Sequence, residues 1–544
     1  ILLFLFLLLS DATSNLAFAK EDTHPMKRDN DYEVVIIGAG IGGLMCGNFL
    51  AQRGIKTLIC EQYHQPGGCM QGFTREGFYF DACDQSFESA WVIFPLLKKL
   101  GILEKVQFEF TDYRLILPDA DISINSFDGL ISQFKQAFPE EAKGVEDYFT
   151  DIRKMTELIE GMFEKDTNPF IEGGWKKIAA VLKFIFNGGI FYVGSLKEYN
   201  NIVARQWLEQ YFTDPRLLNA LSKLGYKDWS AMNFAITWYC WLKDYWYPKG
   251  GIQGFSNLLA ETFQNRGGTI KYNTMVDKIL LKDGRAVGVR TKDGSEIRSR
   301  YVVSSCDYKQ TLLKLLPSDV ITQEDREMLE KAEVSETFVS VYLALNLAQE
   351  ELRKYTKAHH VWLISSYDPL DFVGMKYDKD FHRKTWIELS SPGSGDKSLV
   401  PEEKSALIIQ ALSSYDWMDK WKTGPNGEST PEYHALADDM ANGLIEEVEK
   451  RIIPGLRDKI VFKEIATPIT KERLTLNIKG ATGGWTWHPQ KSYAKVGLKK
   501  WGGDYRTPVK NLYAASQWAL QSGCVPRAAL AGKDVADIIL TVSK

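Results

Sequence analysis

The sequence predicts an α/β protein whose main parallel sheet is assembled from three separated parts of the chain. Residues 34–37 form a short apolar, strand-like run, and a glycine-rich turn and a helical pattern follow directly. A second alternation of helix and strand begins after residue 250, and a last strand and helix close the chain between residues 511 and 540. Because strands that alternate with helices favour a parallel sheet, these parts are expected to form one domain.

The turn after the first strand has the composition of a dinucleotide-binding loop. Gly38, Gly40 and Gly43 give the spacing G-x-G-x-x-G, and a helical pattern runs from residue 44 to 53. The first glycine permits a tight turn, the second a close approach of backbone and pyrophosphate, and the third close packing of helix and strand. The helix N-terminus presents free amides and a positive dipole end to the phosphates. The turn therefore predicts a Rossmann-like unit.

An acid and a second glycine pair narrow the choice of dinucleotide. The second strand, residues 56–60, ends in Glu61, about twenty residues beyond the glycines, where a carboxylate can accept hydrogen bonds from ribose hydroxyls. An acid there favours an unphosphorylated ribose, so NADP is not expected. Gly67 and Gly68 suit a backbone that passes close to a second part of a large cofactor. These features favour FAD over NAD.

Composition and charge exclude several classes of protein. The 544 residues carry a formal net charge of −4, so no nucleic-acid partner is expected. Aromatic residues make up 12% of the chain and include 15 Trp, a surplus that has to line an extended core or an apolar ligand channel. The seven cysteines are scattered without a C-x-x-C pair and predict neither a disulfide framework nor a metal site. The adjacent His359 and His360 are expected in a solvated loop rather than as metal ligands.

The first thirty residues are set apart from the fold. The run ILLFLFLLLS is too short to span a bilayer, and with Ala17-Phe18-Ala19 behind it the pattern is typical of a secretory signal and its cleavage site. The sequence Met26-Lys27-Arg28 would be an ordinary start for such a protein. Export and an extended N-terminus therefore both stay open.

The stretch from residue 95 to 250 has a helical and aromatic pattern. From Trp175 to Gly194 a helix would place a basic stripe on one narrow face and Trp, Ile and Phe on the rest, which is typical of a helix lying in a membrane interface. A helix packed on the core with one solvated stripe would show the same pattern. The aromatic cluster from Trp238 to Tyr247 can likewise line an apolar tunnel or fill a core.

Beyond residue 247 the pattern of the nucleotide-binding unit returns. A helix is expected up to Arg266 and a strand over 269–273, and the Asp-Gly pairs at 283–284 and 293–294 predict two hairpin turns. The strands that these turns join are expected to form an antiparallel meander, which ends with strand 301–303.

The residues from 311 to about 475 predict a second domain with a mixed or antiparallel sheet, lying over the cofactor. Its expected strands are 338–345, 361–365, 386–390 and 406–411, and its expected helix is 436–452. The resulting boundaries are a signal-like or disordered N-terminus at 1–30, an FAD-binding domain in the three parts 31–94, 251–310 and 486–544, a helical region toward substrate and membrane at 95–250, and a substrate domain at 311–485.

Several motifs together resemble the flavoprotein family of phytoene desaturases, carotenoid cis-trans isomerases and retinol saturases. The resemblance covers nearly the whole of residues 32–544. Its motifs are GAGIGG at 38–43 with Glu61, PGG at 66–68, YPKGGIQGFSNLLAETFQNRGG at 247–268, SSPGSGDKSLVPEE at 390–403, ATPITKERLTLNIKGATGGW at 466–485 and the closing NLYAASQWALQSGCVPRAALAGKDVA. They are specific for the family and much less so for any one substrate.

The resemblance implies FAD as cofactor and hydride exchange at its flavin with a long apolar isoprenoid, ending in desaturation, saturation or isomerisation. The implied cofactor contacts are Gly38, Gly40, Ile41, Gly42, Gly43, Glu61, Gly67, Gly68 and Val276, with Ser516, Gln517 and Val525 near the flavin ring. The last group departs from the family pattern, which has glycine near position 516 and G-x-G at 523–525. Arg473 and Asp81 are the candidates for shaping the flavin pocket, although the chemistry strictly requires no protein acid or base.

The resulting expectation is a peripheral membrane oxidoreductase, with homo-oligomer formation left open. Two alternatives keep the same fold. One is a flavoenzyme that oxidises an amine or a porphyrinogen in a shorter pocket. The other is a protein without catalysis that binds a prenyl lipid, as dissociation inhibitors of small GTPases do; the intact nucleotide fingerprint argues against it.

Overall fold

The computed structural model describes residues 31–88, 90–162, 179, 198–226, 228–489, 505–519 and 523–542. The signal-like segment 1–30 and nearly all of the helix expected from Trp175 to Gly194 lie outside these residues. The strands are β1 Tyr32–Ile37, β2 Thr57–Cys60, β3 Gly72–Arg75, β4 Phe78–Asp81, β5 Phe87–Glu88, β6 Phe108–Phe110, β7 Tyr113–Ile116, β8 Asp121–Ile124, β9 Tyr245–Pro248, β10 Thr269–Lys271, β11 Val276–Lys282, β12 Arg285–Thr291, β13 Glu296–Ser304, β14 Thr337–Leu345, β15 His360–Ile364, β16 Trp386–Ser390, β17 Ser405–Ser413, β18 Ile460–Ala466 and β19 Leu512–Ala514. The described helices of eight or more residues are α1 Ile41–Ala51, α2 Ala90–Lys99, α3 Phe127–Ala137, α4 Ala142–Met162, α5 Pro215–Ser222, α6 Ala231–Lys243, α7 Gly251–Asn265, α8 Gln323–Lys331, α9 Gln349–Thr356, α10 Pro431–Arg451, α11 Pro468–Thr475 and α12 Val525–Val542.

The first sheet brings strands from distant parts of the chain side by side. Its order is β10-β2-β1-β13-β12-β11, and β19 also pairs with β13. β1 lies parallel between β2 and β13 and is buried, which explains its continuous apolar run. β13 has two parts, since residues 296–298 pair antiparallel with β12 and residues 299–304 pair parallel with β1. This one strand therefore joins the meander to the parallel sheet.

Helices α1 and α12 pack closely against each other beside this sheet. A Cβ atom at Gly532 of α12 would lie 2.2 Å from the carbonyl oxygen of Gly42 in α1, so glycine permits the approach. α1 is apolar around its whole circumference and nearly all of it is buried. Such a helix is expected where neighbours cover every side.

The second sheet has the order β18-β14-β17-β16-β15-β7-β8. It is mixed, because β7 and β15 are parallel while its other pairs are antiparallel. One face packs on α10 through alternating apolar residues such as Val341, Leu363 and Leu407 against Leu444. The other, inner face carries aromatic and polar side chains.

Two strands of the second sheet come from the region that was predicted to be helical. β7 and β8 lie within residues 95–250 and form the edge next to β15. Each is only four residues long, and β7 contains Arg114, so neither has a long strand-like run. Arg114 donates two hydrogen bonds to the Asp121 carboxylate, each 2.6 Å long, which compensates the buried charge. The region 95–250 is therefore helical only in part.

Residues 82–86, here called the crossing segment, run across the inner face of the second sheet. The segment follows β4, and four neighbouring strands of the sheet each send one side chain to it. The pairs in strand order are Tyr342 with Ala82, Gln410 with Cys83, Ser390 with Gln85 and His360 with Ser86. The crossing segment thus fastens the nucleotide-binding part of the chain to the second sheet.

Candidate cofactor-binding and active site

The turn after β1 has the geometry that its glycines predict. Gly38 has φ +96°, a left-handed conformation that glycine adopts without strain. A Cβ atom at Gly43 would lie 2.2 Å from the carbonyl oxygen of Gly38, so α1 can start beside the strand only with glycine at this position. The expected roles in tight turning and in close helix–strand packing are therefore confirmed for these two residues.

Gly40 and Gly42 differ in what surrounds them. A Cβ at Gly42 would meet the carbonyl oxygen of Ala515 at 2.0 Å, whereas the nearest atom to a Cβ at Gly40 is the Ser305 hydroxyl oxygen at 3.8 Å. Close packing against the backbone of Ala515 therefore requires glycine at position 42. The space beside Gly40 is open, as the approach of a pyrophosphate requires.

The N-terminus of α1 presents its amides beside this open space. Gly40 is the residue before the helix and has no side chain that could cap it, and Ile41 is the first helical residue. The Gly43 amide donates to the Ser305 hydroxyl at 2.9 Å. The positive end of the helix dipole is therefore available to an anion at the expected place.

Glu61 lies at the end of β2 and faces the same turn. Its two oxygens accept hydrogen bonds from the Ala39 amide at 2.7 Å and the Tyr63 amide at 2.8 Å. Burial raises the pKa of Glu61, and the backbone hydrogen bonds oppose that shift. Each carboxylate oxygen has a further lone pair, so ribose hydroxyls can still donate to it.

Two backbone segments approach Glu61 and the turn. The Gly67 amide donates to Ala39 O at 2.9 Å, and a Cβ at Gly68 would lie 3.2 Å from the Gly40 Cα. The Thr274 amide donates to Glu61 O at 2.8 Å, which brings the loop before Val276 to the same place. The structure therefore brings Gly67, Gly68 and the loop before Val276 next to the turn and Glu61.

The last expected group lies where β13 and β19 end. The Ser516 hydroxyl donates to Cys306 O at 3.0 Å, and a Cβ at Gly38 would lie 3.5 Å from the Cys306 sulfur. Gln517 is half-buried and Val525, the first residue of α12, is buried. Ser516 thus reaches the fingerprint turn through Cys306, while residues 520–522 lie outside the described chain.

These features fit FAD. The open space beside Gly40, the uncapped helix end and the buried acid lie at the carboxyl ends of β1, β2 and β13, where ligands bind in parallel sheets. The ADP half would be held there by Gly38 to Gly43 and by Glu61.

Asp81, one of the two pocket candidates, lies at the end of β4 in a buried hydrogen-bond network. Its carboxylate accepts from the Tyr79 hydroxyl at 2.6 Å, the Tyr247 hydroxyl at 2.9 Å and the Ile252 amide at 3.1 Å. Burial raises the pKa of Asp81 to about 7. Because the Ile252 amide belongs to the first turn of α7, Asp81 joins β4 and β9 to the start of that helix.

Asp81→Asn is expected to flatten the pH dependence of stability between about pH 4 and pH 7. A carboxyl whose folded pKa of about 7 exceeds its ordinary 3.8 stabilises the fold fully below pH 4 and loses that contribution as the pH rises to 7. The difference corresponds to about 4 kcal/mol, so denaturant unfolding at pH 4 and pH 7 would measure it. The exposed Asp439→Asn is the control. A pH dependence in Asp81→Asn equal to that of wild type would contradict the assignment.

Arg473, the other candidate, is exposed on α11 and donates to the Ser429 hydroxyl at 3.3 Å. This position does not support a role in a flavin pocket. Lys471, two residues earlier on the same helix, is buried instead, and its ammonium has no hydrogen-bond partner among the described residues. It lies 4.7 Å from the ring centre of Phe338, and burial lowers its pKa.

Two partly buried acids, Asp84 within the crossing segment and Glu88 two residues beyond it, were missed in the sequence analysis. Burial raises the pKa of Asp84 well above its ordinary range and also raises the pKa of Glu88. Charge interactions link Asp84 to Lys471 and Glu88 to Arg527. The motif FDACDQSFES was the available signal, since three acids occur there beside an apolar strand.

The expectation for His359 and His360 was wrong. His360 begins β15 and is 1% exposed, and His359 is 6% exposed. Burial lowers the pKa of His359 well below its ordinary value. Two polar residues suggested a loop, but His360 lies on the inner face of the second sheet, and His359, just before β15, packs near the Tyr247 ring with ring centres 5.3 Å apart. Among the described residues, no group of three or more His, Cys, Asp or Glu is arranged to hold a metal ion.

Fold and site together define a class of protein, an oxidoreductase with a dinucleotide-binding sheet and a second, mixed sheet fastened to it. Residues 41–540 match the profile of the flavin containing amine oxidoreductases, and the chain belongs to that family. It is an FAD-dependent oxidoreductase, and its cofactor is FAD.

Relatives of similar length agree with this class. The chain is 27% identical to the chloroplast prolycopene isomerase 2 of an Oncidium hybrid cultivar over 509 residues, covering 86% of this chain and 78% of that one. It is 24% identical to the all-trans-retinol 13,14-reductase of Danio rerio over 522 residues, covering 90% and 82%. It is 23% identical to a lycopene-forming phytoene desaturase of Pseudescherichia vulneris over 466 residues, covering 80% and 85%.

Solved structures show the same fold. An oxidoreductase from Methanosarcina mazei superposes with a TM-score of 0.57 at 15% identity, over 93% of this chain and all of that one. Wild-type putrescine oxidase with bound putrescine gives 0.56 at 13% identity, over 94% and 99%. At these identities the likeness concerns the fold alone.

Proposed function

We propose that the chain exchanges hydride between FAD and a long apolar polyisoprenoid of the carotenoid or retinoid type, which it desaturates, saturates or isomerises. The relatives named as prolycopene isomerase, retinol reductase and phytoene desaturase support this substrate class. Their shared chemistry acts on carbon–carbon double bonds in such chains.

The observation that carries the proposal is a continuous series of aromatic rings on the inner face of the second sheet. Ring centres of neighbouring members lie between 4.5 and 5.7 Å apart. The members, here called the aromatic wall, are Trp487, Tyr226, Phe338, Trp386, Trp362, Trp241 and Tyr113. The rings are buried, and every member except Tyr226 is at most 9% exposed. A series of this length would give an extended polyene apolar contact along its whole length, whereas a small amine would use only a part of it.

The residues of this chain would bind, orient and shield. Gly38 to Gly43 and Glu61 would hold the ADP half of FAD, whose flavin supplies the hydride acceptor or donor when bound. The crossing segment and the aromatic wall would exclude water from the neighbouring space. Ser516 and Gln517 are proposed to lie near the flavin ring.

We also propose that the protein attaches to a membrane surface from one side, with residues 95–250 contributing to the attachment. The amphipathic sequence from Trp175 to Gly194 supports this proposal. Val373 and Tyr377 add apolar surface, at 77% and 73% exposure. No helix among the described residues has both the length and the apolarity to cross a bilayer.

The test is the visible spectrum of the purified protein before and after anaerobic dithionite, followed by turnover assays. We expect a flavin band that bleaches on reduction. Phytoene should bleach the band of the oxidised protein as it is desaturated, retinol should restore the band of the reduced protein as it is saturated, and prolycopene should be isomerised with no net change in the band. Putrescine and a porphyrinogen are the competing substrates in the same assay.

Three outcomes would contradict the proposal. Oxidation of the amine or the porphyrinogen with no conversion of polyenes would replace the substrate class. Bound flavin with no conversion of any polyene would remove the proposed reaction. Failure to hold FAD after reconstitution would favour a lipid-binding protein.

A further inference from the structure

A buried hydrogen-bonded group connects the crossing segment to strands β15 and β16. The Ser86 hydroxyl lies 2.8 Å from His360 Nε2, and His360 Nδ1 lies 3.0 Å from Glu388 Oε1. The Tyr113 hydroxyl donates to the same glutamate oxygen at 3.3 Å. Four side chains from β7, β15, β16 and the crossing segment thus form one network.

The partner of Ser86 sets the tautomer of the histidine. The Ser86 hydroxyl donates to Gln85 O at 2.7 Å, so its oxygen is left to accept from His360 Nε2–H. His360 Nδ1 is then the nitrogen that faces Glu388. The glutamate oxygen and Nδ1 lie 3.0 Å apart without the alignment of a hydrogen bond, so the two groups form a close polar contact.

The surroundings hold this pair rigidly. The Tyr113 ring stacks on the His360 ring with centres 4.6 Å apart and planes 5° from parallel, and the Tyr245 ring meets both edge-on. Burial raises the pKa of Tyr113 well above its ordinary value, so its hydroxyl remains a donor. Other titratable groups that act on this neighbourhood include Tyr226, His359, Glu88, Glu336 and Asp84.

Glu388 is the one member of the network with appreciable accessible surface. Its side chain is 14% exposed, whereas those of its neighbours are almost fully enclosed, with His360 at 1% and Tyr113 at 3%. On β16 it lies directly opposite Trp362, and Trp386 is two residues away on the same face. The carboxylate therefore lies between rings of the aromatic wall, along which the apolar chain would bind.

We propose that Glu388 is the acid–base group that moves a proton to or from the isoprenoid, with His360 and Ser86 as its positioning residues. This inference rests on the proposed function and adds to it a group on the protein that the chemistry does not strictly require.

Glu388 moves one proton in each direction of the reaction. In desaturation one carbon loses hydride, with its electron pair, to the flavin, and the adjacent carbon loses a proton to the Glu388 carboxylate as the double bond forms. In saturation the Glu388 carboxyl gives that proton to one carbon, hydride goes to the other, and the double bond is consumed. Once the product has left, the partly exposed Glu388 side chain exchanges its proton with water, while His360 and Ser86 hold the carboxylate in place.

The experiment compares Glu388→Gln with wild type as holoenzymes. We expect the variant to keep its FAD and to bind the polyene substrate, but to turn over about 10²-fold or more slowly, since a positioned acid or base contributes that much. A second readout is the infrared difference spectrum on binding the polyene to the oxidised holoenzyme. A carboxyl band that shifts in D₂O should be present in wild type and absent in the variant.

Two further variants separate catalysis from structure. Glu464→Gln makes the same change on β18, at a side chain 42% exposed in an ion pair with Arg75, and should match wild type. His360→Gln leaves the carboxyl of Glu388 in place, so it should slow turnover less than Glu388→Gln does. It should also move the carboxyl band without removing it. If Glu388→Gln does not fold, His360→Gln still tests the proposal.

The outcomes distinguish the two proposals. Turnover by Glu388→Gln within about threefold of wild type, or an unchanged carboxyl band, would overturn the role of Glu388 alone. Wild-type protein that holds FAD and converts no polyisoprenoid would overturn the proposed function, and this inference with it.

Discussion

Gly42→Ala is expected to destabilise the nucleotide-binding part of the protein by at least about 3 kcal/mol. The added methyl group would lie 2.0 Å from the carbonyl oxygen of Ala515 and 3.2 Å from that of Ala528. Both atoms belong to backbone on the segment that closes the first sheet, so no side-chain rotation can relieve the overlap. Soluble yield and the free energy of unfolding in denaturant would measure the effect.

Gly40→Ala, two residues earlier, is the matched control. Gly40 has φ −69° and ψ 172°, which alanine adopts freely, and its neighbourhood is open. This variant should fold with nearly wild-type stability but lose at least about tenfold in FAD affinity, because the methyl group takes space needed by the pyrophosphate. Equal loss of stability in both variants, or undiminished FAD binding by Gly40→Ala, would contradict the account of the turn.

Lys471→Met is expected to raise the free energy of unfolding at pH 7 by about 1–3 kcal/mol, the usual cost of a buried polar group without a hydrogen bond. Burial lowers the pKa of Lys471 below its ordinary 10.5, so protonation of Lys471 lowers the free energy of unfolding. This destabilisation becomes smaller as the pH approaches 10.5. The gain should therefore be larger at pH 7 than at pH 10. Unfolding must be compared at equal FAD occupancy, since a bound cofactor itself stabilises.

Lys479→Met provides the comparison for this variant. Lys479 is exposed and pairs with Asp416 at 2.9 Å, so its loss should change stability by less than about 1 kcal/mol. A loss of stability in Lys471→Met would show that the charge interaction of Lys471 with Asp84 outweighs this cost and would contradict the prediction.

The cofactor-binding turn could be predicted from sequence because its chemistry is local. Glycine at 38, 40 and 43 and an acid at 61 meet requirements that a single strand–turn–helix unit imposes on itself. Strands β14 to β17 of the second domain were predicted equally well, as β16 at Trp386–Ser390 shows, since they are long or richly apolar. Strand β18 at Ile460–Ala466 was missed, because Lys463 and Glu464 interrupt its apolar run. Helix α1 begins three residues before the expected position because its first turn consists largely of glycine, whose weak helix propensity hides the start.

The rest of the site could not be predicted, since it depends on contacts between distant elements. His360 and Glu388 become neighbours only through the pairing of β15 with β16, and Ser86 reaches them only across the face of the sheet. On α11 the sequence analysis selected Arg473 and did not consider Lys471, and the turn of the helix decides which of the two points inward. Strand β7 was missed because its contribution to the sheet depends on a partner almost 250 residues later.

The order in which the chain is made has a consequence for β13 and β19. During synthesis, β1 and β2 are finished long before residue 296, so one edge of β1 has no partner while the whole of residues 95–250 emerges. The edge of β13 then has no partner until β19 is made, about 200 residues later. Exposed strand edges of this kind pair readily with other chains. The nascent protein should therefore depend on chaperones, and any premature stop before residue 512 should leave a chain that aggregates rather than one with a functional nucleotide-binding half.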